Sequence, residues 1–202
     1  MADEITYSPD EVSYDATPTD AAGPGPGGDL VDLKAGAKSG KYPKKAIADN
    51  FAAAKAVGVD PVTQVAIALQ ESGLGTVKVH GRRGTYEPDY SQMTFSDAQQ
   101  EELDKLAAKT GIDPRALKLS IALRDKLQYA KDVKLNSSEA LALQAFNGYG
   151  TITPQTFGGA TEAYGVDITN GVNMKKNPLY GNRIIELKNN LLANDYVNSL
   201  LK

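Results

Sequence analysis

The chain has 202 residues, with 22 Lys+Arg against 25 Asp+Glu, 41% apolar residues, no Cys and no Trp. That is enough for one domain of ordinary size, or one domain with a tail. The missing cysteine excludes a disulfide scaffold, an Fe–S cluster, a zinc ribbon and a thiol nucleophile. The formal net charge of −3 argues against a dedicated nucleic-acid binder, but it joins two unlike parts. Residues 1–40 carry eight acids and two lysines, net −6, which leaves +3 on residues 41–202.

Residues 1–40 read as an extended, acidic arm. Gly23-Pro24-Gly25-Pro26-Gly27-Gly28 holds neither a helix nor a central strand, and its flanks carry too few large apolar residues to offset the entropy of ordering. The arm is either a solvated leader or a docking segment anchored by Ile5, Tyr7, Val12 and Tyr14. The stretch Met1–Asp10 has no basic or apolar region of a signal peptide, and no apolar run approaches the roughly 18 residues of a membrane span.

The domain expected over 41–202 is mostly helical. Pro43 opens a segment with Ile47, Phe51, Ala54 and Val57 on one face, stopped by Gly58. Asp60-Pro61 is an N-cap followed by proline at the first helical position, and Val62, Val65, Ala66 and Leu69 then recur at helical spacing up to Glu71. Alternation over Thr76–His80 before Gly81-Arg82-Arg83-Gly84 predicts a small hairpin. Ser96 and Gln99 form a capping-box pair for a helix ending at Gly111, and Asp113-Pro114 starts a long one through Leu117, Ile121 and Leu127. Asn136 and Glu139 cap a helix over Ala140–Phe146, which breaks at Asn147-Gly148-Tyr149-Gly150. Residues 151–176 read as Gly- and Thr-rich loop. Asn177-Pro178 begins a last long helix carrying Tyr180, Ile184, Leu187 and Leu191, broken at Asn194-Asp195 before a short final turn. The class is α+β, predominantly helical, with one small β element.

Three places carry candidate chemistry. Glu71 falls at the C-terminal end of an apolar helix, where both the helix dipole and apolar neighbours (Ala68, Leu69, Leu74) favour the neutral acid. A carboxylic acid still protonated near neutral pH is what glycosidic cleavage uses to protonate the leaving oxygen; the competing reading is an exposed Glu in a fraying turn. Asn147-Gly148-Tyr149-Gly150 permits close backbone approach to a ligand, with Asn147 for an amide and Tyr149 for a sugar face, or is a plain helix stop. Tyr180 either reaches the cleft by its hydroxyl or is an amphipathic core tyrosine.

Taken in order, Ala68-Leu69-Gln70-Glu71-Ser72-Gly73, Ala142-Leu143-Gln144-Ala145-Phe146-Asn147-Gly148-Tyr149-Gly150 and Asn177-Pro178-Leu179-Tyr180-Gly181 resemble the motifs of SLT-type lytic transglycosylases. The resemblance spans residues 44–193 and implies a lysozyme-like fold with a small β-hairpin, preceded here by the extended N-terminal arm. It departs from the family at Phe146, where a tyrosine is usual, and at Tyr90-Ser91-Gln92-Met93, a partial match to a Gly-Leu-Met-Gln motif. It implies single-acid catalysis with no metal or cofactor. Glu71 would protonate the oxygen between N-acetylmuramic acid and N-acetylglucosamine, then act as base on the muramic 6-hydroxyl. Ser72 would position Glu71 or a substrate carbonyl. Gln92, Asn147 and Tyr149 would bind substrate, and Tyr180 would orient Glu71. The leaderless, arm-bearing form resembles a peptidoglycan-degrading protein of a bacteriophage particle. That implies a virion location, glycan strands as substrate and other virion proteins as partners of the arm.

A hydrolase of the same wall would need a second carboxylate to activate water, for which Glu87 and Asp89 are the candidates. A virion structural or adaptor protein of the same fold would have no use for Glu71 and Asn147. His80 with Arg82 and Arg83 reads as exposed hairpin, able to meet wall carboxylates or phosphate. A single His without Cys is a poor zinc set, and Asp167-Ile168-Thr169-Asn170-Gly171 lacks calcium-loop spacing and reads as a turn.

Overall fold

The computed structural model describes residues 29–76, 79–81, 84–86, 90, 93–132, 134, 136–144, 146–147, 151–152, 159, 161–163, 166–167, 169–173 and 179–202. Ile5, Tyr7, Val12 and Tyr14, and with them the docking reading of the arm, lie outside the described residues.

The folded domain begins earlier than residue 41. Strand β1 (Leu30–Leu33) pairs antiparallel with β2 (Gly40–Pro43), in the register Leu30↔Pro43 to Leu33↔Gly40, across a 3₁₀ turn at Gly36–Lys38. Leu33 and Ala35 are core residues, and the Lys44 amide donates to the Asp29 carbonyl at 2.9 Å. The boundary at 40 is therefore corrected to the vicinity of Asp29. The Gly-Pro run before it and the glycines within it hide a strand of four residues, too short to display alternation.

Helix α1 (Lys44–Val57) ends at Gly58, which takes a left-handed φ of 84°. Helix α2 (Pro61–Ser72) starts where expected, with the Asp60 carboxylate accepting from the amides of Val62 (2.8 Å) and Thr63 (3.1 Å). Every residue from Val62 to Leu69 is buried, so α2 is a central helix enclosed on all sides rather than an amphipathic one. Two of those residues are polar. The fully buried Gln64 donates to Asn50 Oδ1 and to the Ala116 carbonyl, both at 3.0 Å, and accepts from Ser120 Oγ at 2.6 Å. This ties α1, α2 and α4 together, and the satisfied network makes the burial tolerable. The Thr63 hydroxyl is buried without a partner among the described residues.

A hairpin follows, β3 (Val79–Gly81) with β4 (Gly84–Tyr86), closed at Gly81↔Gly84. Helix α3 (Asp97–Thr110) carries the full Ser96/Gln99 capping box and stops at the left-handed Gly111. Helix α4 (Pro114–Asp132) packs on α1 and α3. Helix α5 (Glu139–Gln144) is capped by Ser138, whose Oγ accepts from the Leu141 amide at 3.2 Å, not by Asn136. Residues 151–173 are not plain loop: β5 (Thr151–Ile152) pairs with β8 (Val172–Asn173), and β6 (Glu162–Ala163) with β7 (Val166–Asp167). Two-residue strands leave no periodic trace in sequence. The amide and hydroxyl of Thr169 donate to the Asp167 carboxylate, an Asx turn.

Helix α6 (Tyr180–Leu192) lies against α2 and α5, and α7 (Asp195–Ser199) is capped by Asn194. The fold is α+β and predominantly helical, with four two-stranded antiparallel sheets among the described residues. No helix of the described residues is long and apolar enough to cross a membrane.

Candidate active site

Glu71 occupies the last turn of α2, just beyond the point where the buried run ends. The turn that follows is tightly made. Gly73 (φ 54°) closes the helix and its amide donates to the Leu69 carbonyl at 3.1 Å. Leu74, a buried non-glycine residue, is also left-handed at φ 55° and donates to the Ala68 carbonyl at 3.0 Å. Such a conformation costs about 1–3 kcal/mol and is retained where surrounding contacts over-determine it.

Ser72 is one of those contacts. Its side chain is buried, and its hydroxyl donates to the Ala68 carbonyl at 3.0 Å while accepting from the Gly75 amide at 3.1 Å. Of the two tasks expected of Ser72, positioning Glu71 or a substrate carbonyl, these bonds are compatible with the first, because they hold the turn that presents Glu71. Tyr90 braces the same turn. A Cβ on Gly75 would come within 2.9 Å of its ring, and burial pushes the Tyr90 phenol up to about 12.

The Tyr180 hydroxyl, at the first position of α6, donates to Glu71 Oε1 at 2.6 Å. The two residues are 109 positions apart in the chain. Tyr180 is buried, and its ring lies nearly parallel to that of Phe146, at 11° with centroids 6.5 Å apart. Phe146 thus lacks a hydroxyl but supports the tyrosine that reaches the acid. Gly181 makes this placement attainable, since a Cβ there would stand 1.9 Å from the Ala140 carbonyl oxygen of α5. The Gly181 amide donates to the buried Gln144 Oε1 at 3.3 Å, which satisfies one of the free donors at the start of α6.

Burial raises the Glu71 carboxyl above its ordinary range; the Tyr180 hydrogen bond and the positive charge of Lys38 pull in the opposite direction without cancelling it. Lys38, from the 3₁₀ turn between β1 and β2, places its ammonium 3.4 Å from the Gln70 carbonyl at the end of α2.

Asn147 is exposed on the turn directly after Phe146. Gln92 and Tyr149 lie outside the described residues, as do Glu87, Asp89, Arg82, Arg83 and the side chain of His80. Among the described residues no group of three or more His, Cys, Asp or Glu is placed to hold a metal ion. No protein-family model, curated protein or solved structure matches the chain. The arrangement around Glu71 therefore carries the functional reading. Among the described residues, Tyr180 holds this carboxyl and Lys38 modulates it, an arrangement able to deliver a proton.

Lys38 is a site residue that sequence reasoning did not reach, while Phe146, Tyr90 and Gly181 were read only as members of motifs, without a structural role. Gly181 had a signal, since it stands next to Tyr180 in the third motif. Lys38 had none, because it belongs to a segment read as arm.

Proposed function

We propose that the chain is a peptidoglycan lytic transglycosylase with a lysozyme-like domain, acting from a virion on the bacterial wall. The observation that carries this reading is the hydrogen bond from Tyr180 to Glu71. It joins residues of two motifs that the sequence resemblance pairs, 109 positions apart in the chain, and it does so at a carboxyl whose burial favours the protonated form. The buried helix with Glu71 in its last turn and the hairpin that follows are further support.

In this mechanism the Glu71 carboxylic acid gives its proton to the glycosidic oxygen. The bond from that oxygen to C1 of N-acetylmuramic acid breaks, and N-acetylglucosamine leaves with a free 4-hydroxyl. The resulting carboxylate takes the proton of the muramic 6-hydroxyl as its oxygen closes on C1, giving a 1,6-anhydro ring. Glu71 ends protonated and no water is consumed. One carboxyl suffices for both steps because it alternates as acid and base. Tyr180 holds Oε1, and Asn147, exposed beside Phe146, is assigned to the substrate's acetamido groups. The +3 on residues 41–202 suits an anionic wall polymer, and the acidic N-terminal stretch is assigned to attachment within the particle.

Glu71→Gln tests the assignment on purified peptidoglycan. The variant keeps a group for Tyr180 to bond and loses the proton, so turnover should fall by about 10²–10⁴-fold, the usual contribution of a general acid, with the fold retained by circular dichroism. A fully active variant would remove Glu71 from the mechanism.

A further inference from the structure

The C-terminus of a helix is an unfavourable place for an acid, and α2 has no basic residue in its own last turn to offset Glu71. Its last carbonyls also lack partners within the helix. Those of Ala68, Leu69 and Ser72 are taken up by Leu74, Gly73 and Gly75. The Gln70 carbonyl is met instead by Lys38 Nζ, 32 residues upstream and on another element.

Lys38 is held there by its own hairpin. The Lys38 carbonyl accepts from the Tyr42 hydroxyl at 2.7 Å, and the Lys38 amide donates to the Ala35 carbonyl at 3.0 Å. Leu33 and Ala35 anchor the turn in the core. Among the described residues, the following groups face Glu71. The 3₁₀ turn gives Lys38, and α6 gives Tyr180. Residues 73–76 carry no ionisable group, and neither do Gln144 and Phe146. Glu186 of α6 faces the same 3₁₀ turn at Gly36, whose Cβ would lie 3.9 Å from its Oε1.

We propose that Lys38 is a positioning residue of the Glu71 site, its ammonium held at the C-terminus of α2 by the β1–β2 hairpin. The ammonium supplies from outside the cation that the helix lacks, and it stabilises the carboxylate form of Glu71 after proton donation, which the base step requires. The catalytic part of this inference rests on the transglycosylase reading; the electrostatic part does not.

The test uses the full chain with ¹³C-labelled glutamate carboxyls, the Glu71 signal being the one lost in Glu71→Gln. Its titration midpoint is read by NMR at low ionic strength in wild type, Lys38→Met, Lys38→Gln and Lys38→Arg. The midpoint should rise in Lys38→Met and return in Lys38→Arg. Lys38→Gln decides between charge and mere capping. It keeps an uncharged hydrogen-bond donor on a side chain one atom shorter, so it should titrate like Lys38→Met. A wild-type midpoint in a folded Lys38→Gln overturns the proposal. On peptidoglycan, the alkaline limb of kcat/KM should move up with the midpoint. An inactive wild type would contradict the transglycosylase reading while the titration still decides the role of Lys38.

Discussion

Two opposed influences meet at the Glu71 carboxyl. Burial favours its protonated form, while Tyr180 and Lys38 favour the ionised form, and burial prevails. The folded-state pKa therefore lies above the unfolded value near 4.5, so the folded protein binds more protons than the unfolded chain between the two. The stability this contributes is complete below the unfolded pKa and is lost as pH rises through the folded one. Glu71→Gln carries no such loss. Its melting temperature should match wild type in acid and exceed it at neutral pH; a difference that does not vary with pH would contradict the burial argument. Tyr180→Phe keeps the ring against Phe146 and loses the bond to Glu71. A hydrogen bond to a charged group is worth about 1.5–3 kcal/mol, so kcat should fall roughly 10- to 100-fold. The alkaline limb of its pH–rate profile should move upward, because the group that lowered the acid's pKa is gone. An unshifted limb would mean that the bond to Glu71 does not act on the catalytic proton.

The elements explain why these side chains meet. Helix α2 is fixed by its cap, by Lys188, which bridges Asp60 at 2.8 Å and Glu139 at 2.6 Å, and by the Gln64 network. Helix α6 is brought onto α5 by the absence of a side chain at Gly181. Gly181→Ala should therefore cost about 1–3 kcal/mol, the usual penalty of overpacking, and lower activity further by moving Tyr180 off Glu71. A melt and an assay equal to wild type would contradict the close approach. The helices were legible because their signals are local: Asp60-Pro61, the Ser96/Gln99 box and the stops at Gly58 and Gly111 are written within a few residues of where they act. Burial of α2 on every side was not legible, since the partners of Gln64 come from α1 and α4. The pairs β5–β8 and β6–β7 were missed because two residues show no period. In the site, Glu71 and Tyr180 could be nominated from helix ends and motif order, whereas the partners of the Ser72 hydroxyl could not, because they depend on the turn it makes. Lys38 depends on a hairpin whose strands are individually too short to recognise.

For the whole molecule, the N-terminal hairpin changes the division of labour. The acidic first part and the basic remainder are real in the sequence, but the folded domain takes up residues 29–40. Residues 29–202 should melt like the full chain. Residues 41–202 lose Leu33 and Ala35 from the core; removing Leu33 alone costs on the order of 2–5 kcal/mol, as in Leu→Ala exchanges, and the truncated chain also loses Lys38. It should melt far lower or fail to fold. Equal melting of the two truncations would return the hairpin to the arm.

In the proposed mechanism a single carboxyl serves as acid and then as base, and the chemistry of the cut ends reports this directly. Full-length protein incubated with purified peptidoglycan, with the released fragments analysed by mass spectrometry, should yield 1,6-anhydro-N-acetylmuramic ends that carry no added water. Reducing muramic ends would mean a hydrolase with a second carboxylate. No cleavage by well-folded protein would leave the Glu71–Tyr180 pair without a catalytic role.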